Sequence, residues 1–156
     1  MNTADNGKEG LSRDRPAREI VRRLIDSFGS ERTEADTSAR AAAAADHLYR
    51  ELSRWVGPDG CHALFTRAHA DARNEFAPLG QIHLRAGSEP YIGGLAETVA
   101  AYGDTATAKA FESMLTHLVE LLGRLIGDDM ATKLIERSSF ASERANLTSY
   151  SKREKA

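Results

Sequence analysis

Residues Asp104 to Ser138, DTATAKAFESMLTHLVELLGRLIGDDMATKLIERS, decide the fold. Phe111, Leu115, Leu118, Leu122 and Leu125 succeed one another at steps of 4, 3, 4 and 3, and Met114, Leu121 and Ile126 widen the same apolar stripe. A face so broad and regular predicts a helix packed inside a bundle, because a helix returns every third or fourth residue to one side. Gly127 reads as its terminator, and Asp128 as the cap of a last helix with Met130, Leu134 and Ile135 inward. Gly123, four residues earlier, removes side-chain bulk where another backbone could approach.

Working back from this stretch, Gly103 and Asp104 form a stop-and-start pair, glycine closing one helix and aspartate capping the next. The helix before it is expected over residues 89–102, with Ser88 as cap, Pro90 in its first turn and Tyr91, Ile92, Leu95, Val99 and Tyr102 on one face; Gly93 and Gly94 weaken its start. PLGQIHLRAGSEP, residues 78–90, reads as a long ordered loop. Ile82 to Arg85 alternate like a strand, but one isolated strand has nothing to pair with.

Upstream again, Asp59 is expected to cap a helix that buries Cys61, Leu64, Phe65, Ala68, Ala72 and Phe76 and stops at Pro78. A longer helix over residues 34–55 combines the tract Ala41–Ala45, which invites close packing, with Leu48, Tyr49, Leu52, Trp55 and Val56 on its apolar face. Gly57-Pro58 breaks it. The first helix begins at Pro16, places Ile20, Val21, Leu24, Ile25 and Phe28 on one side and ends at Gly29. The sum is an all-α fold, a single compact bundle of six helices over residues 15–140. A flexible arm over 1–14 and a flexible polar tail over 141–156 flank it.

The chain has 156 residues, enough for one domain to bury a sizeable core without staples. A net charge of -2 gives no general attraction to phosphates, so no nucleic-acid partner is expected. Cys61 is the only cysteine, which leaves no disulfide framework and no paired zinc thiolates and suits a reducing cytoplasm. The N-terminal residues lack the apolar segment of a signal peptide, and no run reaches the length of a membrane span. Abundant Ala and Arg suit a bacterial origin.

Chemistry is sparse. His47, His62, His69, His83 and His117 include no pair three or four residues apart, the spacing that lets two imidazoles on one helix face share an ion, so no metal site and no cofactor are expected. Cys61 beside His62 near a helix start is the most reactive-looking neighbourhood. Adjacent helix residues point apart, however, and Cys61 is in register with Leu64, Phe65 and Ala68, which favours an inert buried thiol. No nucleophile elbow, phosphate loop or HExxH pair occurs, so no catalytic residue is assigned and the reading leans away from an enzyme. A phosphotransfer histidine at His117 lacks any surrounding signature. A DNA-reading helix at GRLIGDDMATKLIERS would begin with two aspartates that phosphates repel. Asp46 with Arg50, Glu19 with Arg23 and Glu120 with Arg124 read as i,i+4 pairs on solvated faces.

RWVGPDGCHALFTRAHADA (Arg54 to Ala72) and LLGRLIGDDMATKLI (Leu121 to Ile135) resemble blocks of uncharacterised bacterial all-helical domains. The resemblance implies a helical fold and bacterial origin and carries over no functional residue. The leading functional expectation is a small cytoplasmic regulatory or scaffolding protein acting through helix-mediated protein–protein interaction, with a second copy as one candidate partner in a homodimer. The alternative is a sensor that binds a small ligand in an aromatic-lined pocket formed by Trp55, Phe65, Tyr91 and Tyr102.

Overall fold

A computed structural model describes residues 17–28 and 37–137. The expected arm and tail, and the expected stop at Gly29, lie outside the described residues. Six α-helices form the described bundle: α1 over 17–26, α2 Thr37–Val56, α3 Pro58–Arg73, α4 Leu95–Tyr102, α5 Asp104–Ile126 and α6 over 128–137. A 3-10 turn, Ala77–Gln81, and a two-stranded hairpin, β1 His83–Leu84 with β2 Ile92–Gly93, lie between α3 and α4. No described helix is long and apolar enough to cross a membrane.

The stripe on α5 forms the centre of the core. Phe111, Met114, Leu115, Leu118 and Leu122 are fully buried, and α2 and α3 pack on this helix and on each other. Leu48 and Leu52 of α2 and Phe65 of α3 fill the space between them. Each such side chain removed from water stabilises the fold by roughly 1.5–3 kcal/mol before the entropy of ordering is subtracted. Val21, Leu24 and Ile25 of α1 close one side, with Arg22 Nε donating to Glu112 Oε1 at 3.0 Å across the seam. Ala131, Leu134 and Ile135 of α6 close another.

Where α2 and α5 begin, the core is built of small residues. Ala41, Ala42, Ala44 and Ala45 are buried on α2, as are Thr107, Ala108 and Ala110 on α5, so the alanine tract does pack closely. Asp104 ties the two starts together: its Oδ1 accepts from the Ser38 amide at 3.0 Å and the Ser38 hydroxyl at 2.5 Å. The aspartate expected to cap its own helix thus satisfies an orphan N–H at the start of another. The N-cap of α5 is Gly103, without a side-chain bond. Asp59 and Asp128 are displaced in the same way, since Gly57 precedes α3 as its cap and Gly127 directly precedes α6.

The shared reason is backbone conformation. Gly57, Gly103 and Gly127 each form the whole connection between two helices, at φ/ψ of 84/154, 90/162 and 92/148. That region is open to glycine and sterically closed to L side chains, so one residue both stops a helix and turns the chain into the next. Gly123 serves a close approach as well: a Cβ there would collide with Asp128 Oδ1 where α6 folds back.

Several expectations are corrected between residues 74 and 95. α3 ends at Arg73, four residues before the 3-10 turn that holds Pro78. The extended piece at Ile82–Arg85 does have a partner, because His83 pairs with Gly93 and Leu84 with Ile92 in an antiparallel ladder. Accordingly α4 begins at Leu95, six residues after the expected start at residue 89. Gly94, its N-cap, sits at φ 86, and a Cβ there would run into the Gln81 carbonyl. Thr98 is the fully buried residue of α4, while Leu95 and Val99 are half-buried. The stripes of α5 and α6 also stop short, with Leu125, Ile126 and Met130 exposed.

Candidate functional site

Two regions of the surface depart from a plain bundle. The first is where the hairpin meets α2. Ile92 donates its amide to Asp46 Oδ1 at 3.0 Å, in the middle of a helix from which the sequence pattern points Asp46 to solvent. Burial raises the Asp46 pKa above its ordinary value of 3.8; bonds from the Ile92 and Tyr91 backbone and the charge of Arg50 oppose the shift, and Glu89 adds to it. A carboxylate only half surrounded by water therefore pins the hairpin onto the bundle.

Beneath the hairpin the rings are packed together. Tyr49 and Tyr91 stack with centroids 3.7 Å apart and planes 9° apart, and Phe65 meets both edge-on at 5.7 and 5.4 Å. His62 Nδ1 is 2.8 Å from the Tyr91 hydroxyl. Burial, then the neighbouring Tyr49 and Cys61, push the Tyr91 phenol upward, so it keeps its proton and can donate to that nitrogen. Cys61 is fully buried and its thiol donates to the Tyr49 carbonyl at 3.5 Å, not to the adjacent His62. Burial pushes this thiol from 9.0 up to about 11, the opposite of the activation a nucleophile needs.

Beside these rings opens a cleft of about 390 Å³, with Asp46, Tyr49 and Arg50 of α2 on one wall and Ser88, Glu89, Pro90 and Tyr91 of the hairpin on the other. The Glu89–Pro90 peptide is cis. Of the four residues expected to line an aromatic pocket, Phe65 and Tyr91 touch. Trp55 lies at the far end of α2, 60% exposed, and Tyr102 at the end of α4 is 42% exposed. Tyr49, Asp46, Arg50 and Glu89 carry no ligand-facing signal in the sequence, because nothing in a helical repeat says that a loop forty residues away will fold over positions 46–50. Two signals point to a hairpin there: the alternation of Ile82 to Arg85, and the pair Gly93-Gly94 that breaks the helical pattern.

Comparison with protein-family models, with curated proteins and with solved structures returned no match.

Three of the remaining histidines have local partners, and the fourth, His83 on β1, is exposed. His69 Nε2 donates to the Leu79 carbonyl at 2.7 Å, tying the 3-10 turn to α3; His117 Nε2 is 3.9 Å from Glu75 Oε2, and His47 meets the Phe28 ring edge-on at 5.2 Å. No group of three His, Cys, Asp or Glu side chains among the described residues could hold a metal ion. Those three positions are accounted for by packing and hydrogen bonding.

The second region is apolar. α2 and α5 start together at Ser38 and Asp104 and pack on each other, so their similar lengths of 20 and 23 residues bring both to the same pole of the bundle. There Trp55 (60%), Val56 (38%), Leu125 (67%), Ile126 (38%) and Met130 (52%) are exposed. The Arg137 guanidinium lies 5.9 Å from the centre of the Trp55 ring, joining the end of α6 to the end of α2.

Proposed function

We propose that this chain is a protein–protein interaction module that pairs with a second copy of itself through the pole built from the ends of α2, α5 and α6. The observation that carries the reading is Leu125: it continues the α5 stripe in perfect helical register yet is 67% exposed, with Trp55 and Met130 at the same pole. Large apolar side chains gathered at one place are the usual mark of a contact surface, and tryptophan is among the residue types enriched at the energetic centres of such surfaces.

The rim favours self-pairing. Arg54, Arg124 and Arg137 are exposed at this pole together with Asp128, Asp129 and Glu136. A two-fold axis sets each patch against its own copy, so cations of one subunit can face anions of the other. A bacterial cytoplasmic regulator or scaffold of this size would use such pairing to present two copies of its remaining surface.

Light scattering on the full chain at rising concentration should show a dimer, with Trp55 emission moving to shorter wavelength as the indole leaves water. Leu125→Asp should abolish both changes while leaving the circular-dichroism spectrum intact. A monomer at the highest attainable concentration ends the proposal.

A further inference from the structure

Away from the apolar pole, the cleft between α2 and the hairpin has properties that self-pairing does not use. Its walls carry two carboxylates, Asp46 and Glu89, and one guanidinium, Arg50, so its formal charge is negative by one. Arg50 and Glu89 both act on Asp46, in opposite senses, which places all three within one electrostatic neighbourhood. Glu89 is exposed on the hairpin and its charge is the one left over once Arg50 is set against Asp46. The stacked rings of Tyr49 and Tyr91 line the same cleft and give it an apolar surface along which an alkyl chain can lie. A volume of about 390 Å³ lies within the range of small-molecule pockets.

We infer that the Asp46–Glu89 cleft binds a small organic cation, a primary amine whose ammonium group is held between the two carboxylates while its alkyl part lies along Tyr49 and Pro90. An ammonium supplies the missing positive charge and three donors, which suits carboxylate oxygens on two different walls. It also bridges α2 to the hairpin, so occupancy stiffens the one described connection that is not a helix or a single glycine.

The probe is n-butylammonium chloride, with sodium butyrate and 4-aminobutyrate as comparisons, titrated at constant ionic strength into isotope-labelled full-length protein. Backbone amide resonances report the result. Butylammonium should shift Tyr91, Ile92 and Glu89 saturably at millimolar concentration, and butyrate should not. Glu89→Gln, an exposed and isosteric change, should weaken binding about tenfold through loss of one charge-assisted contact, and Arg50→Gln should leave binding unchanged or tighten it. No saturable shift, or equal binding to Glu89→Gln, overturns the inference. Tighter binding of 4-aminobutyrate that depends on Arg50 overturns it too, in favour of a zwitterion. Because neither substitution touches Leu125 or Trp55, a failure here leaves the dimer measurement standing, and the reverse holds as well.

Discussion

Leu118 and Leu125 are seven residues apart on one face of α5, yet the first is wholly buried and the second is 67% exposed. Two turns of helix rotate a side chain almost back to where it began, so the repeat itself cannot distinguish these positions. What separates them is cover. At Leu118 the helix lies against α2 and α3, and at Leu125 it has reached the pole where the neighbouring chain turns away. Periodicity reports which side of a helix is greasy; the lengths and crossings of other elements decide how much of that side is enclosed.

Substitution should expose the difference in a graded way. Leu118→Ala removes a fully enclosed side chain and should lower unfolding free energy by about 2–5 kcal/mol in denaturant titration. A loss under about 1 kcal/mol would mean the centre of α5 is not the core. Gly127→Ala separates the covered helix from the pole by forcing a β-carbon into a backbone region closed to it, and should cost about 1–3 kcal/mol. Asp104→Ala, which leaves Ser38 without its acceptor at the opposite end of α5, should cost about 0.5–2 kcal/mol. Leu125→Ala should change monomer stability by no more than about 0.5 kcal/mol while weakening self-association. If Leu125→Ala proves as damaging as Leu118→Ala in dilute protein, the pole is covered and the comparison fails.

Cys61 sharpens the same contrast from the α3 side. Its thiol pKa rises from 9.0 to about 11 on folding, so the folded state holds the proton more tightly. This contribution to stability is complete below pH 9.0 and is lost as pH climbs toward about 11. Native protein at pH 8 should react with a thiol reagent only as fast as it opens, and unfolded protein at once. Rapid labelling of native protein would place Cys61 at the surface.

The helices were legible where large apolar residues recur, as at Phe111 to Leu122, and the all-α bundle follows from them. Less legible were features set by one residue's backbone or by distant chain. Gly-Asp junctions read as aspartate caps, yet the left-handed glycine takes the cap position and frees Asp104 to bond Ser38, 66 residues away. Tyr91 and Ile92 fall in helical register with Leu95, but Gly94 at φ 86 starts the helix after them and pairs Ile92 with Leu84 instead. The cleft was hidden for a related reason: Asp46 and Arg50 look like any solvated ion pair until the Ile92 amide arrives.

Helix-to-helix passage over one residue at Gly57, Gly103 and Gly127 leaves the chain without slack at those points. Proteases need several residues of extended backbone, and a grafted peptide needs ends that can part without unwinding a helix. Among the described residues, the exposed hairpin tip at Ala86 and Gly87 is the place that offers both, so a reporter spliced there would leave the bundle intact and ride directly above the amine cleft.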